Sequence, residues 1–164
     1  MVRTGTIVAA MAGAILLAGP GAGRAAGTDM LFSIGVMTGG DATQYCNFMT
    51  PADAAAFSFD DEATWRFVFV SDYPQPEGES EEKGPRARAV VNGRLQTFVF
   101  RGEKTDGAGM LVRRYRGLDD SDLRMVARLK PGTKGMESQN FEGRIVIRRG
   151  DWRAGVAVKG DCGV

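Results

Sequence analysis

The sequence predicts an all-β fold: a small antiparallel β-barrel of seven or eight strands with one short helix and one disulfide, or alternatively a two-sheet sandwich. Three observations carry this expectation. Apolar residues alternate with polar ones over most of the C-terminal half, strong turn signals separate the alternating runs, and the only two cysteines tie an early segment to the last turn. A length of 164 residues fits one domain.

The N-terminal elements come first. Arg3 precedes an uncharged stretch from Thr4 to Gly23 with an apolar centre from Ile7 to Ala18. Pro20, Gly21 and Gly23 then break any helix, and Ala25, Ala26 and Gly27 supply small residues. This is the order of a secretory signal over residues 1–27, with cleavage after Ala25 or Gly27, because Arg24 is a poor residue at the small −3 site. A retained anchor is the alternative, since the uncharged stretch is long enough to cross a bilayer. The expected mature domain is 28–164, in a periplasmic or secreted setting and without a stable transmembrane span after processing. In an oxidising compartment Cys46 and Cys162 pair. They close a loop of 117 residues counting both ends, for which chain entropy alone gives about 5 kcal/mol.

Leu31 to Met37 is a short strand candidate. Thr50, Pro51 and Asp53 predict a short helix: Thr50 caps, Pro51 loses nothing in the first turn, and Asp53 completes the capping pattern. Trp65, Phe67 and Phe69 are expected on one face of a strand. Residues 74–85 hold three prolines, two glycines and four glutamates, and predict an exposed linker or lid.

Beyond this loop the pattern is a meander. Ala87 to Val91 and Arg94 to Arg101 flank Asn92-Gly93, the strongest local signal for a tight hairpin. Met110 to Arg116 follows a glycine-rich turn. Leu123 to Lys130 alternates strictly and is expected to stop at Pro131-Gly132. Phe141, Gly143, Ile145 and Ile147 share the inner face of the next strand. Gly150-Asp151 turns the chain into Trp152, Ala154, Val156 and Val158, and Cys162 closes the end. Alternation of this kind gives one core face and one wet face per strand.

Composition narrows the function. The chain has no histidine, which removes Ser-His-Asp and Cys-His catalysis and most zinc sites. Charge is lopsided: residues 28–82 carry 11 acidic residues and one basic, while residues 83–164 carry 9 acidic and 18 basic. Arg114, Arg116, Arg124, Arg128, Lys130, Arg144 and Arg148 share one parity within their strands. If those strands are neighbours, seven cations face outward together and form a surface for an acidic protein or an anionic envelope component. The plainer reading is that any half-wet sheet needs polar outward residues. Phe98 and Phe100 take the opposite parity to Leu95, Thr97 and Val99, so that strand is apolar on both faces. It either lies beneath another element or exposes a binding patch. Phe57, Phe59, Trp65, Phe67 and Phe69 are expected in the core, with the lining of an apolar-ligand cavity as the alternative.

Other matches are weak. Asp60-Asp61-Glu62 and Asp119-Asp120-Ser121-Asp122 lack the spaced ligands and central glycine of a calcium loop, so no metal site and no cofactor are expected. Arg149-Gly150-Asp151 reads as a hairpin turn. Nucleic acid is a poor partner for an exported domain of near-zero net charge. Composition and leader together are those expected of an exported bacterial protein. The expectation is thus a non-enzymatic β-domain that binds another macromolecule, most simply a protein, through the arginine face, the two-sided apolar strand or both. The alternatives are an apolar-ligand carrier, a structural subunit of an envelope complex, and a carboxylate-based hydrolase, which requires two acids facing one cleft.

Overall fold

The computed structural model describes residues 32–39, 44–72 and 86–163. The expected leader at 1–27 and the loop at 74–85 lie outside them. In chain order the elements are β1 (Ile34–Gly35), β2 (Met37–Thr38), β3 (Cys46–Met49), α1 (Pro51–Ala56), a 3-10 turn (Glu62–Thr64), β4 (Arg66–Phe67) and β5 (Phe69–Ser71). From residue 86 follow β6 (Arg86–Val91), β7 (Arg94–Thr105), β8 (Leu111–Gly117), β9 (Leu123–Lys134), β10 (Ser138–Arg149) and β11 (Trp152–Gly163).

Eight of these strands, β3 and β5 to β11, pair antiparallel with their neighbours in chain order, and β11 returns to pair with β3. The result is a closed meander, a barrel rather than a sandwich. β1 extends β6 as a ninth strand, and β2 with β4 forms a separate two-stranded ribbon. An eight-stranded barrel has an interior just wide enough for side chains to fill. Here Phe48, Phe69, Phe98, Met125, Leu129, Ile145 and Ile147 fill it with no exposed surface. Each such burial contributes roughly 1.5–3 kcal/mol.

The seam between β3 and β11 is short, with four paired positions from Met49–Lys159 to Cys46–Cys162. Cys46 and Cys162 stand directly opposite each other and are joined by the disulfide. A few residues along, a Cβ on Gly160 would strike the carbonyl oxygen of Asn47, so glycine sets how closely the two strands approach. Beneath the disulfide lies Arg113, a buried cation. Its Nη1 donates to Sγ of Cys46 at 3.0 Å, and its Nε donates to Oε2 of Glu103 at 3.0 Å. Pairing with Glu103 offsets the cost of burying the guanidinium.

Local chemistry explains the turns. Thr50 Oγ1 accepts from the Asp53 backbone N–H at 3.1 Å and caps α1 as the sequence predicts. Asn92 and Gly93 take φ of 50° and 74°, the left-handed pair that a tight hairpin needs. The Asn92 side chain also accepts from Ser33 N at 2.9 Å, which fastens β1 to the hairpin.

Three expectations need correction. Leu123 to Lys130 does not stop at Pro131-Gly132; β9 runs on to Lys134. β8 leaves β9 at Leu129, so Pro131 stands on an edge where its missing N–H costs no ladder bond. Phe67 and Phe69 do not share a face. The chain breaks pattern at Val68, because β4 joins the outer ribbon while β5 joins the barrel. Phe67 therefore packs outside with Met49 and Val70, and Phe69 packs inside. The early strand candidate is two pieces, β1 and β2, rather than one.

Tyr115 lies inside against Phe69 and Phe100, with ring centroids 5.5 and 5.6 Å away. Burial pushes its phenol up to about 12. The neutral form is the one the fold holds, so the stabilisation is complete below the unfolded value near 10 and is lost as pH rises from 10 towards 12. About 3 kcal/mol is at stake. Urea midpoints measured across that window are expected to fall more steeply in the native sequence than in Tyr115→Phe.

Candidate functional site

The outer face of β8 to β11 carries rows of cations set by strand register. Arg116 lies opposite Arg124, Arg124 opposite Arg148, and Arg148 opposite Arg153. Four guanidinium side chains thus cross four adjacent strands in one line. Directly opposed residues sit on the same face with Cβ atoms about 5 Å apart, and like charges so placed repel. A second row pairs Arg128 with Arg144; Arg128 bonds Asp106, and Arg144 Nη2 donates to the Gly155 carbonyl at 3.1 Å. Between the rows Arg114 stands opposite Val126. Lys130 falls in a third row, opposite Glu142. All seven sequence-selected cations are therefore on the outside, spread over several rows rather than gathered in one cluster.

Among the described residues Arg114, Arg116, Arg148 and Arg153 make no side-chain hydrogen bond or ion pair with protein. Arg124 reaches only the Leu123 carbonyl, at 3.4 Å. Asp122 shares a shallow hollow with Arg124 and Arg148, and Asp120 is taken by Arg149 at 3.0 Å. Trp152 is 55% exposed but pairs with Arg149, on the opposite side of the sheet from the row. Arg153 was not among the sequence candidates. The two-residue Gly150-Asp151 turn alone would have found it, because that turn fixes Arg153 opposite Arg148.

Phe98 and Phe100 face the lumen. Phe98 has no exposed surface, and Phe100 is partly buried against the same cluster. The outward face of their strand is Leu95, Thr97 and Val99, of which Leu95 is well exposed. Phe98 is therefore out of reach from outside the barrel.

The acidic clusters act in turns. Asp61 caps the 3-10 turn by accepting from Ala63 N at 3.1 Å, and Asp120 accepts from Asp122 N at 3.1 Å. Among the described residues there is no group of three His, Cys, Asp or Glu side chains able to hold a metal ion, and no helix long and apolar enough to cross a membrane.

A second feature escaped the sequence reading. Outside the barrel, between α1 with its following loop and strands β3, β10 and β11, lies a cleft of about 480 Å³. Its floor follows register: Asn47 is opposite Asp161, and Asp161 is opposite Asn140. In the next row Lys159 binds Glu142 at 2.8 Å, which holds that carboxyl below the usual range. Asp161 makes no side-chain hydrogen bond or ion pair among the described residues, and partial burial raises its carboxyl. The Asn47 side-chain oxygen Oδ1 is buried in the floor without a partner, while its Nδ2 donates to the Gln44 carbonyl at 2.9 Å. The wall is aromatic, with Phe57 38% and Phe59 78% exposed. The Trp65 ring meets both in tilted contacts, with centroids 6.5 and 5.9 Å away, and its indole N–H donates to the Ser58 carbonyl at 3.1 Å. Both phenylalanines, expected in the core, are therefore surface groups. The signal for this floor lay in the cysteines, since pairing Cys46 with Cys162 brings Asn47 and Asp161 together. No protein-family model, curated protein or solved structure matches the chain.

Proposed function

We propose that this chain is an exported, disulfide-closed barrel that binds an acidic segment of another protein through the outer face of β8 to β11. The observation that carries the reading is the unbroken line Arg116, Arg124, Arg148 and Arg153, three of whose members have no protein partner among the described residues. A fold gains nothing from four opposed like charges, whereas carboxylates laid along the line relieve the repulsion and accept forked, charge-assisted hydrogen bonds. Export is supported by the leader-like order of residues 1–27 and by the Cys46–Cys162 bond, which belongs to an oxidising compartment.

The test is binding to poly-L-glutamate at low and moderate salt. The native protein is expected to bind with clear salt dependence, and Arg124→Glu with Arg148→Glu is expected to weaken binding by at least about tenfold while leaving the melting temperature level or raised. Equal binding by the two proteins would remove the arginine line from the function.

A further inference from the structure

We propose that the cleft between α1 and the β3–β11 seam is a saccharide-binding site. The argument starts from the chemistry of the floor. Asn47 and Asn140 each offer both donors and acceptors in principle, Asp161 and Glu142 accept, and Lys159 donates. Such a floor suits neither simple ion: Lys159 repels a cation, and the two carboxylates repel an anion. A neutral molecule with many hydroxyl groups matches it, since every hydroxyl donates one hydrogen bond and accepts others.

The wall supplies the other half of the recognition. Phe59 and Phe57 present ring surface to the cleft, and each also contacts the Trp65 ring in a tilted arrangement. The electron-rich face of an aromatic ring suits the C–H-bearing face of a pyranose, while the hydroxyls around the sugar's rim point towards the polar floor. A cleft of about 480 Å³ lies within the range of small-molecule sites.

Asp161 is the open acceptor of the floor. Its side chain is exposed at the floor beside Asn47 and Asn140 and has no protein donor among the described residues, so its acceptor oxygens are available to a ligand. Two sugar hydroxyls would supply the missing donors. The disulfide fixes the neighbouring pair of residues, so the spacing of Asn47 and Asp161 is set before ligand arrives. The arginine line is not part of this cleft, and the two proposals stand independently.

The chain has two tryptophans, so Trp152→Phe leaves Trp65 as the only indole reporter. This protein is titrated with maltotriose, cellotriose and chitotriose, each up to about 10 mM, and saturable change in Trp65 fluorescence is expected with at least one of them. Phe59→Ala and Asp161→Ala are expected to weaken that binding by at least about tenfold. Neither change threatens folding, because both side chains are exposed and Asp161 makes no hydrogen bond or ion pair among the described residues. The proposal is overturned by the absence of saturation with all three sugars. It is equally overturned by affinities unchanged in both variants, or by tighter binding of tetramethylammonium than of any sugar.

Discussion

Replacing Cys46 and Cys162 together by alanine is expected to cost the fold about 5 kcal/mol. The bond joins residues 116 positions apart and lies in the seam between the first and last barrel strands. Without it the unfolded chain regains the entropy of a very long loop, while the folded chain keeps only four paired positions to hold the barrel shut. Domains of this size are stable by roughly 5–15 kcal/mol, so such a loss consumes much of the total. Urea denaturation of the double variant beside the oxidised parent measures it. A difference below about 1 kcal/mol would mean that hydrogen bonding across the seam closes the barrel unaided.

Phe98→Ala is expected to destabilise by about 3–5 kcal/mol. The reason lies in its neighbours. Directly opposite Phe98 stand Ala87 on β6 and Gly117 on β8, so one ring fills the space above three strands. Neither small residue can move in to fill the cavity left behind. Leu95→Ala, on the outward face of the same strand, is expected to change stability by less than about 0.5 kcal/mol. Parallel thermal melts of the two variants separate a core role from a surface role. Comparable small losses in both would place Phe98 outside the packing that holds the lumen.

The contrast shows what the sequence could and could not convey. Strict alternation at Leu123, Met125, Ala127 and Leu129 revealed which side of β9 is buried, because the other side is basic. On β7 both sides are apolar, and only the small partners Ala87 and Gly117, brought alongside by folding, decide that the aromatic side faces in. The Asn92-Gly93 hairpin and the Thr50 cap were visible because their chemistry is local. Phe67 and Phe69 misled because the period of two presumes one continuous strand, and the chain changes sheets at Val68. The cleft was hidden for a different reason: Asn47, Asn140 and Asp161 become neighbours only through register across the seam, where no short-range spacing points to them. The arginine line was readable in its parity, although its alignment into opposed positions depended on pairings no single strand displays.

The seam also has a consequence for the order of assembly. From β6 to β11 every adjacent pair is a hairpin or a short connection, so those contacts can form early and cheaply. The β3–β11 pairing joins parts of the chain more than a hundred residues apart and must come late. Thiol oxidation therefore acts as a latch on a nearly finished molecule, and the polar floor that includes Asn47 and Asp161 is completed in that same last step.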